Sequence, residues 1–539
     1  MTHRILKYIV AALAICPLAS CTDGFLKEYS QDLSRVQTVS DLNELLVGDC
    51  YLPKGLYRYE GYQYYVDNPN YAVLHFLGDE LTDNLSSEEE NDVVDARETY
   101  FPYYTWQQNA YVDVKGKSTL TSDEDNYWTL AYEKINNCNM VLESADGLSP
   151  QSDTEKMQLR RVKGEAYFLR AFYYLTLVNL YGKPYAPSTA QTDLAVPVKT
   201  SGNVEDKEFS RATVAAVYDQ IIADLNEAEK QFDGNTEKLS IYHANMEATY
   251  ILHSRVALYM QDWQTAADYA KKALDKDDYL QTTIGMGSDV YPISKDNQEV
   301  VYSNGSSCFG NLIFSKPKAD PEDEDDYRPV WIVSDDVYDL YADNDSRKTT
   351  YVTTEDDLFD HHPTYHKIDN SRASYNIYKG VSDVFSIRTA EAYLNMAEAK
   401  AQLGEDGEAC KWLDKLRDTR ISDNTPLHLS GEELVNFIRD ERERELCFEG
   451  HRWFDLRRYS VDARYPFSKE IVHTYTSLSF SYDTYSYVKN YTKYYRLEKN
   501  DAAYVLDIPR LERDFQPSIG SNPRPERPAF ETTLYDEQY

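Results

Sequence analysis

The residues with the greatest chemical potential lie between positions 434 and 458, where acidic and basic side chains alternate with apolar ones. The helix predicted to begin with Ser430 as its cap carries four residues on one face: Leu434, Ile438, Glu441 and Glu445. Two carboxylates on an apolar face are either a catalytic acid–base pair or half of a buried ion-pair network. Guanidinium groups follow closely: Arg442, Arg444, Arg452, Arg457 and Arg458. Because buried glutamates require such partners, we interpret the segment as a structural ion-pair network.

Other motifs for chemistry are incomplete. Segment 305–309 lacks the second glycine of a nucleophile elbow, and segment 285–287 lacks the third glycine of a dinucleotide-binding loop. His362 and His366 have metal-ligand spacing, but a proline lies between them. The acidic run 320–326 could hold calcium or form a solvated loop, and its order matches no EF-hand. We predict no catalytic residue, no metal site and no cofactor, and leave calcium at 320–326 open.

The first 21 residues have the pattern of an export signal. A charged start is followed by an apolar run from Ile9 to Ile15 that is too short to span a bilayer, and then by Leu18-Ala19-Ser20-Cys21. That tetrapeptide resembles the bacterial lipoprotein box, which implies cleavage before Cys21 and acylation of its thiol. The alternative is an ordinary thiol near a secretory cleavage site. We predict a signal peptide over 1–20, a lipid anchor at Cys21 and a tether over 21–39.

The charge of the chain limits its partners. It has 91 Asp+Glu against 56 Lys+Arg, a formal charge of −35, with 42% apolar residues. Such a charge repels the phosphate backbone, so we exclude nucleic acid as a partner and expect membrane contact through the N-terminal lipid alone. The apolar content is sufficient for a folded globular protein.

The positions of these residues must be set by helices. Apolar residues recur at steps of three and four over 122–145, 152–182 and 214–232. Two further segments, 244–274 and 387–416, read as paired short helices with small residues at the contact positions, similar to tetratricopeptide hairpins. Since a single hairpin cannot bury its own face, the hairpins are expected to stack.

The remaining segments lack helical periodicity and are rich in Tyr, Asp, Asn, Gly and Pro. We predict a mainly α fold, a tetratricopeptide-like scaffold (α-α superhelix) interrupted by long irregular insertions with a few short strands. An N-terminal region over 40–275 contains the insertion 51–119. A C-terminal region over 276–539 contains the insertions 276–385 and 456–539 around helices within 386–455.

Segment 441–458 closely resembles the ER-x-x-EL-x-x-EG-x-RWFDLRR signature of the SusD/RagB family. The matching positions are Glu441, Arg442, Glu445, Glu449, Gly450, Arg452, Trp453, Asp455 and Arg457. Segments 164–182, 390–399 and 79–84 resemble further motifs of this family, and the resemblance extends from Cys21 to Pro509. The ending departs from the family pattern, because Ser-Asn-Pro-Arg-Pro at 521–525 replaces Q-N-P-G-Y.

This resemblance implies a surface-exposed lipoprotein of the cell outer membrane that faces the cell exterior. It implies a partner, a SusC-like TonB-dependent transporter, over which the protein forms a lid. It also implies that oligomeric nutrients are held in the loop insertions while the helical scaffold faces the transporter.

Sugars stack their C–H faces on aromatic rings while their hydroxyls bind polar groups, so ligand contact requires exposed rings. Family members often place a stacking aromatic in the middle insertion, which makes Trp331 the first candidate. The further candidates are Tyr327, Phe309, Tyr100, Asn84 and Trp106, and for Trp106 packing is favoured over ligand contact.

The ligand class and two competing functions stay open. The negative charge disfavours polyuronic or sulfated chains, so a neutral oligosaccharide is favoured over oligopeptides. The alternatives to a non-catalytic binding protein are a cell-surface hydrolase of the same polymer and a purely architectural partner of the transporter.

Overall fold

A computed structural model describes residues 36–52, 57–59, 62–64, 69–83, 100–109, 127–203, 205, 207–235, 237, 239–287, 290–305, 331–356, 361–368, 381–482 and 486–535. About 48% of the described structure is helical, and the predicted mainly α fold is confirmed. Among the described helices, none is both long and apolar enough to cross a bilayer. Cys21 and the segment 320–326 lie outside the described residues.

The N-terminal part contains, in chain order, α1 (Val39–Leu45), β1 (Tyr57–Tyr59), β2 (Tyr62–Tyr64), α2 (Pro69–Leu77), β3 (Leu81–Asp83), α3 (Tyr127–Asp146), α4 (Asp153–Tyr181), α5 (Val214–Phe232), α6 (Met246–Tyr259) and α7 (Trp263–Leu274). The first helix begins at Thr38, whose side chain and that of Asp41 form a capping box.

The C-terminal part contains, in chain order, β4 (Val300–Ser303), β5 (Trp331–Val333), α8 (Asp335–Tyr338), α9 (Arg347–Thr350), β6 (Val352–Asp356), β7 (His361–Tyr365), β8 (Ser386–Arg388), α10 (Thr389–Gln402), α11 (Asp406–Arg417), α12 (Gly431–Leu446), α13 (Arg452–Ser460), β9 (Ile471–Ser481), β10 (Ser486–Leu497), α14 (Arg510–Phe515) and β11 (Glu531–Leu534). The strands pair antiparallel in four two-stranded sheets and the three-stranded sheet β11-β10-β9.

Helix α4 is the centre of the N-terminal half. Its last turns are buried on all sides, and it packs between α3 and α5. Gly164 permits this contact, because a Cβ at that position would lie 2.8 Å from the Phe232 ring. Arg170 forms a bidentate ion pair with Asp224 and so connects α4 to α5 inside the core.

The predicted hairpins are α6 with α7 and α10 with α11. Alanines at their contact positions are buried, and the hydroxyl of Ser254 donates to the Ala266 carbonyl at 2.8 Å, so the helices approach closely. Arg255 on α6 pairs with Glu391 on α10 through two bonds of 2.6 Å. The two hairpins therefore stack into one scaffold, as the sequence predicts.

Two local expectations need correction. The insertion 456–539 begins inside α13 and contains β9 and β10, strands of 11 and 12 residues rather than short ones. Ser430 precedes α12 but makes no side-chain capping bond. The N–H of Gly431, whose φ is +58°, donates to the Asp406 carboxylate at 3.1 Å.

Candidate functional site

The two glutamates singled out on α12 are fully buried and ion paired. The carboxylate of Glu441 contacts Arg347 at 2.7 Å, and Arg417 and Arg444 at 2.9 Å each. The carboxylate of Glu445 contacts Arg347 at 3.1 Å and Arg388 and Arg420 at 2.9 Å each. Each carboxylate is thus surrounded by three guanidinium groups, which come from α9, β8, α12, the end of α11 and the turn that follows α11.

This environment keeps both carboxylates ionised. Burial by itself would raise the pKa of Glu441, but the guanidiniums of Arg347, Arg444 and Arg417 lower it to about 2. The pKa of Glu445 is well below its usual range for the same reason, with Arg420 and Arg388 contributing most against burial. A general acid or base at neutral pH requires a pKa near 7. The arrangement is suited to joining segments and not to proton transfer.

Most of the arginines expected beside these glutamates pair elsewhere. Arg442 binds Asp455 at 2.8 Å, Arg452 binds Asp79 at 2.7 Å, and Arg458 binds Glu398 and Asp455. Only Arg444 of the five contacts Glu441. Arg457 donates to the Gly182 carbonyl and has no ion pair among the described residues.

The next signature residues close the network. Glu449 binds Lys367 and Arg388, and Arg388 also reaches Glu299. Gly450 has φ of +73°, and a Cβ there would lie 3.2 Å from Val384 Cγ1. The turn between α12 and α13 consequently requires glycine at this position.

A second feature is a continuous column of aromatic rings at the base of the first and middle insertions. Phe76 stacks on Tyr100 at 4.2 Å between centroids and contacts Trp331 edge-on at 5.1 Å. Trp331 contacts Tyr104 at 4.5 Å, and His473 on β9 lies between Tyr104 and Trp106 at 4.0 and 4.4 Å. The column joins α2, the helical residues 100–104, β5 and β9.

Two of the predicted ligand segments leave the described fold beside this column. Strand β3 pairs antiparallel with β5, with Asp83 opposite Trp331. Asn84 directly follows Asp83 in the chain, and Tyr327 precedes Trp331 by a few residues. The segments that contain Asn84 and Tyr327 are therefore joined to neighbouring positions of one small sheet.

The acidic motif at 79–83 attaches this sheet to the signature helices. Asp79 is held by Arg452 and by Lys469, the latter at 2.6 Å. Glu80 accepts a 2.9 Å bond from the N–H of Phe448. The Asp83 N–H donates to the Tyr104 hydroxyl at 3.1 Å, which fixes the base of the column.

The structure places the candidate rings in the interior. Trp331, Tyr100 and Trp106 are 1%, 2% and 0% exposed. This corrects the expectation that the rings of Trp331 and Tyr100 are exposed, because each packs on aromatic rings of its own chain. Their contact with ligand stays a prediction, and Asn84, Phe309 and Tyr327 lie outside the described residues.

Sequence reasoning did not single out Phe76, Tyr104 or His473, which connect the column. Phe76 and Tyr104 lie near motifs noted in the sequence. His473 follows Tyr104 by 369 positions, so no local pattern relates these two residues. The described residues also contain no cluster of three or more His, Cys, Asp or Glu side chains that could hold a metal ion.

Comparison with known proteins agrees with this architecture. Residues 72–258 match the sequence model of a family described as starch-binding and associating with the outer membrane. Residues 323–524 match the model of the SusD family. A SusD-like protein of Formosa agariphila is 22% identical over 402 residues, covering 65% of this chain and 72% of its own. A second one from the same organism is 25% identical, covering 64% and 75%.

Solved structures show the same fold. A SusD-like carbohydrate binding protein from Bacteroides vulgatus superposes with a TM-score of 0.65 at 21% identity, covering 90% of this chain and 97% of its own. A SusD superfamily protein from Bacteroides thetaiotaomicron gives 0.65 at 21% identity, covering 90% and 100%. With family matches in both halves of the chain and the signature network inside the second matched region, the chain belongs to the SusD/RagB family.

Proposed function

We propose that the mature chain is a lipid-anchored protein on the exterior of the outer membrane that binds a neutral oligosaccharide and delivers it to a SusC-like TonB-dependent transporter, acting as its lid. Membership in a family described as starch-binding and outer-membrane associated supports this proposal. One solved relative is described as carbohydrate binding, which agrees with the choice of ligand.

The observation that carries the proposal is the shared base of the ligand segments. The β3–β5 pair is fixed to α12 and α13 through Asp79, Glu80 and Arg452, and backed by the aromatic column. A rigid base with variable loops is a common way to build a binding site, because the scaffold sets positions and the loops supply contacts. Asn84, Tyr327 and Phe309 are the proposed contacts.

A binding panel tests the ligand class. Residues 22–539 would be titrated by calorimetry with neutral, uronic and sulfated oligosaccharides and with basic peptides. We expect binding to a neutral glycan and none to acidic ones, because the chain is strongly negative. Binding to peptides alone would replace the sugar proposal with the oligopeptide alternative. Release of reducing ends or peptides, abolished by one carboxylate substitution, would favour a hydrolase.

Matched variants test the contacts. Tyr327→Ala should weaken affinity roughly tenfold, which corresponds to about 1.4 kcal/mol. Tyr167→Ala removes a half-buried tyrosine of helix α4, on the helical scaffold and outside the insertions, so affinity should be unchanged. Equal effects of the two variants would contradict the proposed site. If no ligand binds and yet deletion of the protein abolishes uptake, the architectural role is favoured.

The anchor and the transporter have separate tests. Cys21→Ala should move the protein from the membrane fraction to the soluble fraction without altering its thermal unfolding, because residue 21 precedes the described core. Mild detergent extraction of the tagged wild-type protein should recover a barrel-sized partner in near-equal amount. Recovery of the protein alone, across several detergents and with ligand present, would refute the lid.

A further inference from the structure

Helix α13 carries three buried arginines, and one of them differs from the other two. Arg452 forms an ion pair with Asp79 at 2.7 Å, and Arg458 forms one with Asp455, also at 2.7 Å. Arg457 is 1% exposed, yet no carboxylate among the described residues pairs with it. It is therefore a buried cation whose charge the ion-pair networks of the fold do not neutralise.

The guanidinium of Arg457 has one acceptor. Its Nη2 donates to the carbonyl of Gly182, at the C-terminus of α4, while Nε and Nη1 have no hydrogen-bond partner in the described chain. Its electrostatic neighbours are the hydroxyls of Tyr218, Tyr259 and Tyr504. Burial lowers the pKa of Arg457 to about 10, so the group remains protonated at neutral pH.

A second donor lies on the same face of α13. Trp453 is one helical turn before Arg457, is equally buried, and its Nε1 also has no partner in the described chain. Its ring stacks on Tyr504 at 4.6 Å, and Tyr504 is also a neighbour of Arg457. Two side chains that only donate thus both lie beside Tyr504, and three of their N–H donor atoms, Nε and Nη1 of Arg457 and Nε1 of Trp453, have no acceptor among the described residues.

Such an arrangement is costly unless a negative group completes it. A buried charge without a partner is strongly destabilising. The C-terminus of α4 offers only the equivalent of about half a negative charge through its dipole. The hydroxyls of Tyr259 and Tyr504, both electrostatic neighbours of the guanidinium, are groups that can donate to an anion.

We propose that Arg457 and Trp453 form a buried binding site for a small monovalent anion of the chloride class. The anion accepts hydrogen bonds from Nε and Nη1 of Arg457 and from Nε1 of Trp453. It neutralises the guanidinium at the point where α13 meets the end of α4. This site is independent of nutrient binding and belongs to the scaffold.

Thermal unfolding of residues 22–539 tests the site. The melting temperature would be measured in sodium chloride and in sodium gluconate at equal ionic strength, so that general screening is the same. An anion that binds only the folded state raises the melting temperature with its concentration. We expect the wild-type protein to show this rise in chloride, and equal melting curves in the two salts would overturn the site.

Two variants make the test specific. Arg457→Met removes the charge and should abolish the chloride dependence, while its melting temperature in gluconate equals or exceeds that of the wild type. Arg255→Met removes a buried arginine that is paired with Glu391, so it should lower the melting temperature and keep the chloride dependence. Persistence of the dependence in Arg457→Met would refute the assignment.

Crystallography provides a readout that does not depend on the stability of a variant. Crystals of the wild-type protein grown in sodium bromide should show an anomalous peak within hydrogen-bond distance of the Arg457 guanidinium. If no anomalous peak appears beside the Arg457 guanidinium at full bromide concentration, water and not an anion solvates this group, and the proposal is wrong.

Discussion

Replacing Glu441 with Gln removes a negative charge that three guanidiniums share. The carboxylate is fully buried and contacts Arg347, Arg417 and Arg444 within 2.9 Å. Glutamine keeps the volume and one acceptor oxygen, but Arg347 and Arg417 lose the charge opposite them. Removing one partner of a buried pair costs about 3–5 kcal/mol.

The pKa gives a second estimate of the magnitude. Lowering the pKa of Glu441 from 4.5 to about 2 stabilises the folded protein at neutral pH. Since one pKa unit corresponds to about 1.4 kcal/mol, this contribution is about 3 kcal/mol. A carboxyl whose pKa is lower in the folded than in the unfolded protein adds its full contribution to the free energy of unfolding at pH values above the unfolded-state pKa. This contribution is lost as the pH falls towards the folded-state pKa. The contribution should fall to about 2 kcal/mol at pH 3.5.

Urea unfolding of wild type and Glu441→Gln, followed by tryptophan fluorescence, checks both estimates. We expect the free energy of unfolding of Glu441→Gln to be about 3 kcal/mol below that of the wild type at pH 7, and this difference to decrease as the pH is lowered towards 3.5. Glu432→Gln is the matched control, because Glu432 lies exposed in the first turn of the same helix. A difference in free energy of unfolding below about 1 kcal/mol at pH 7, or a difference that does not decrease at acidic pH, would refute the reasoning.

Three further predictions concern single positions. Gly450→Ala should lower the free energy of unfolding by about 1–3 kcal/mol, since φ is +73° and Val384 lies 3.2 Å away; Gly407→Ala, with no atom near its Cβ, should be neutral or stabilising, and urea unfolding compares the two. Burial raises the pKa of Glu80 to about 8, so the free energy of unfolding of the wild type falls as the pH rises from 4.5 to 8. The free energy of unfolding of Glu80→Gln, relative to that of the wild type, should therefore increase between pH 5.5 and 8.5. A difference between the two proteins that stays constant over this range would contradict the expectation. Trp331→Ala should cost about 3–5 kcal/mol because its ring fills the space between Phe76 and Tyr104, whereas the half-buried Trp263→Ala should cost less.

Local sequence patterns were sufficient for the helices. Apolar spacing and Ser152 predicted α4 to within a residue at either end, because a helix is stabilised by contacts three and four positions apart and by its caps. The same logic located the hairpins α6–α7 and α10–α11. It did not predict the long strands β9 and β10, whose tyrosine-rich sequence was interpreted as irregular.

Within the candidate site, the sequence identified which residues carry the charge but not which residues pair. The partnership of Glu441 with Arg347 spans 94 positions, and no spacing rule relates two segments that meet only after folding. The nearby arginines were the natural local partners, but Arg442, Arg452 and Arg458 pair with Asp455, Asp79 and Glu398 instead.

The sequence by itself determined the helical scaffold, the family signature and the residue types available for ligand, because these depend on local spacing and composition. Only the tertiary structure decided that Trp331 and Tyr100 are interior rings and that Asp83 and Trp331 lie opposite each other. It also decided that Arg457 is a buried cation with no ion pair to any described residue. Burial and pairing depend on what distant segments bring to the same place, and that information arises when the chain closes its long loops around a common core.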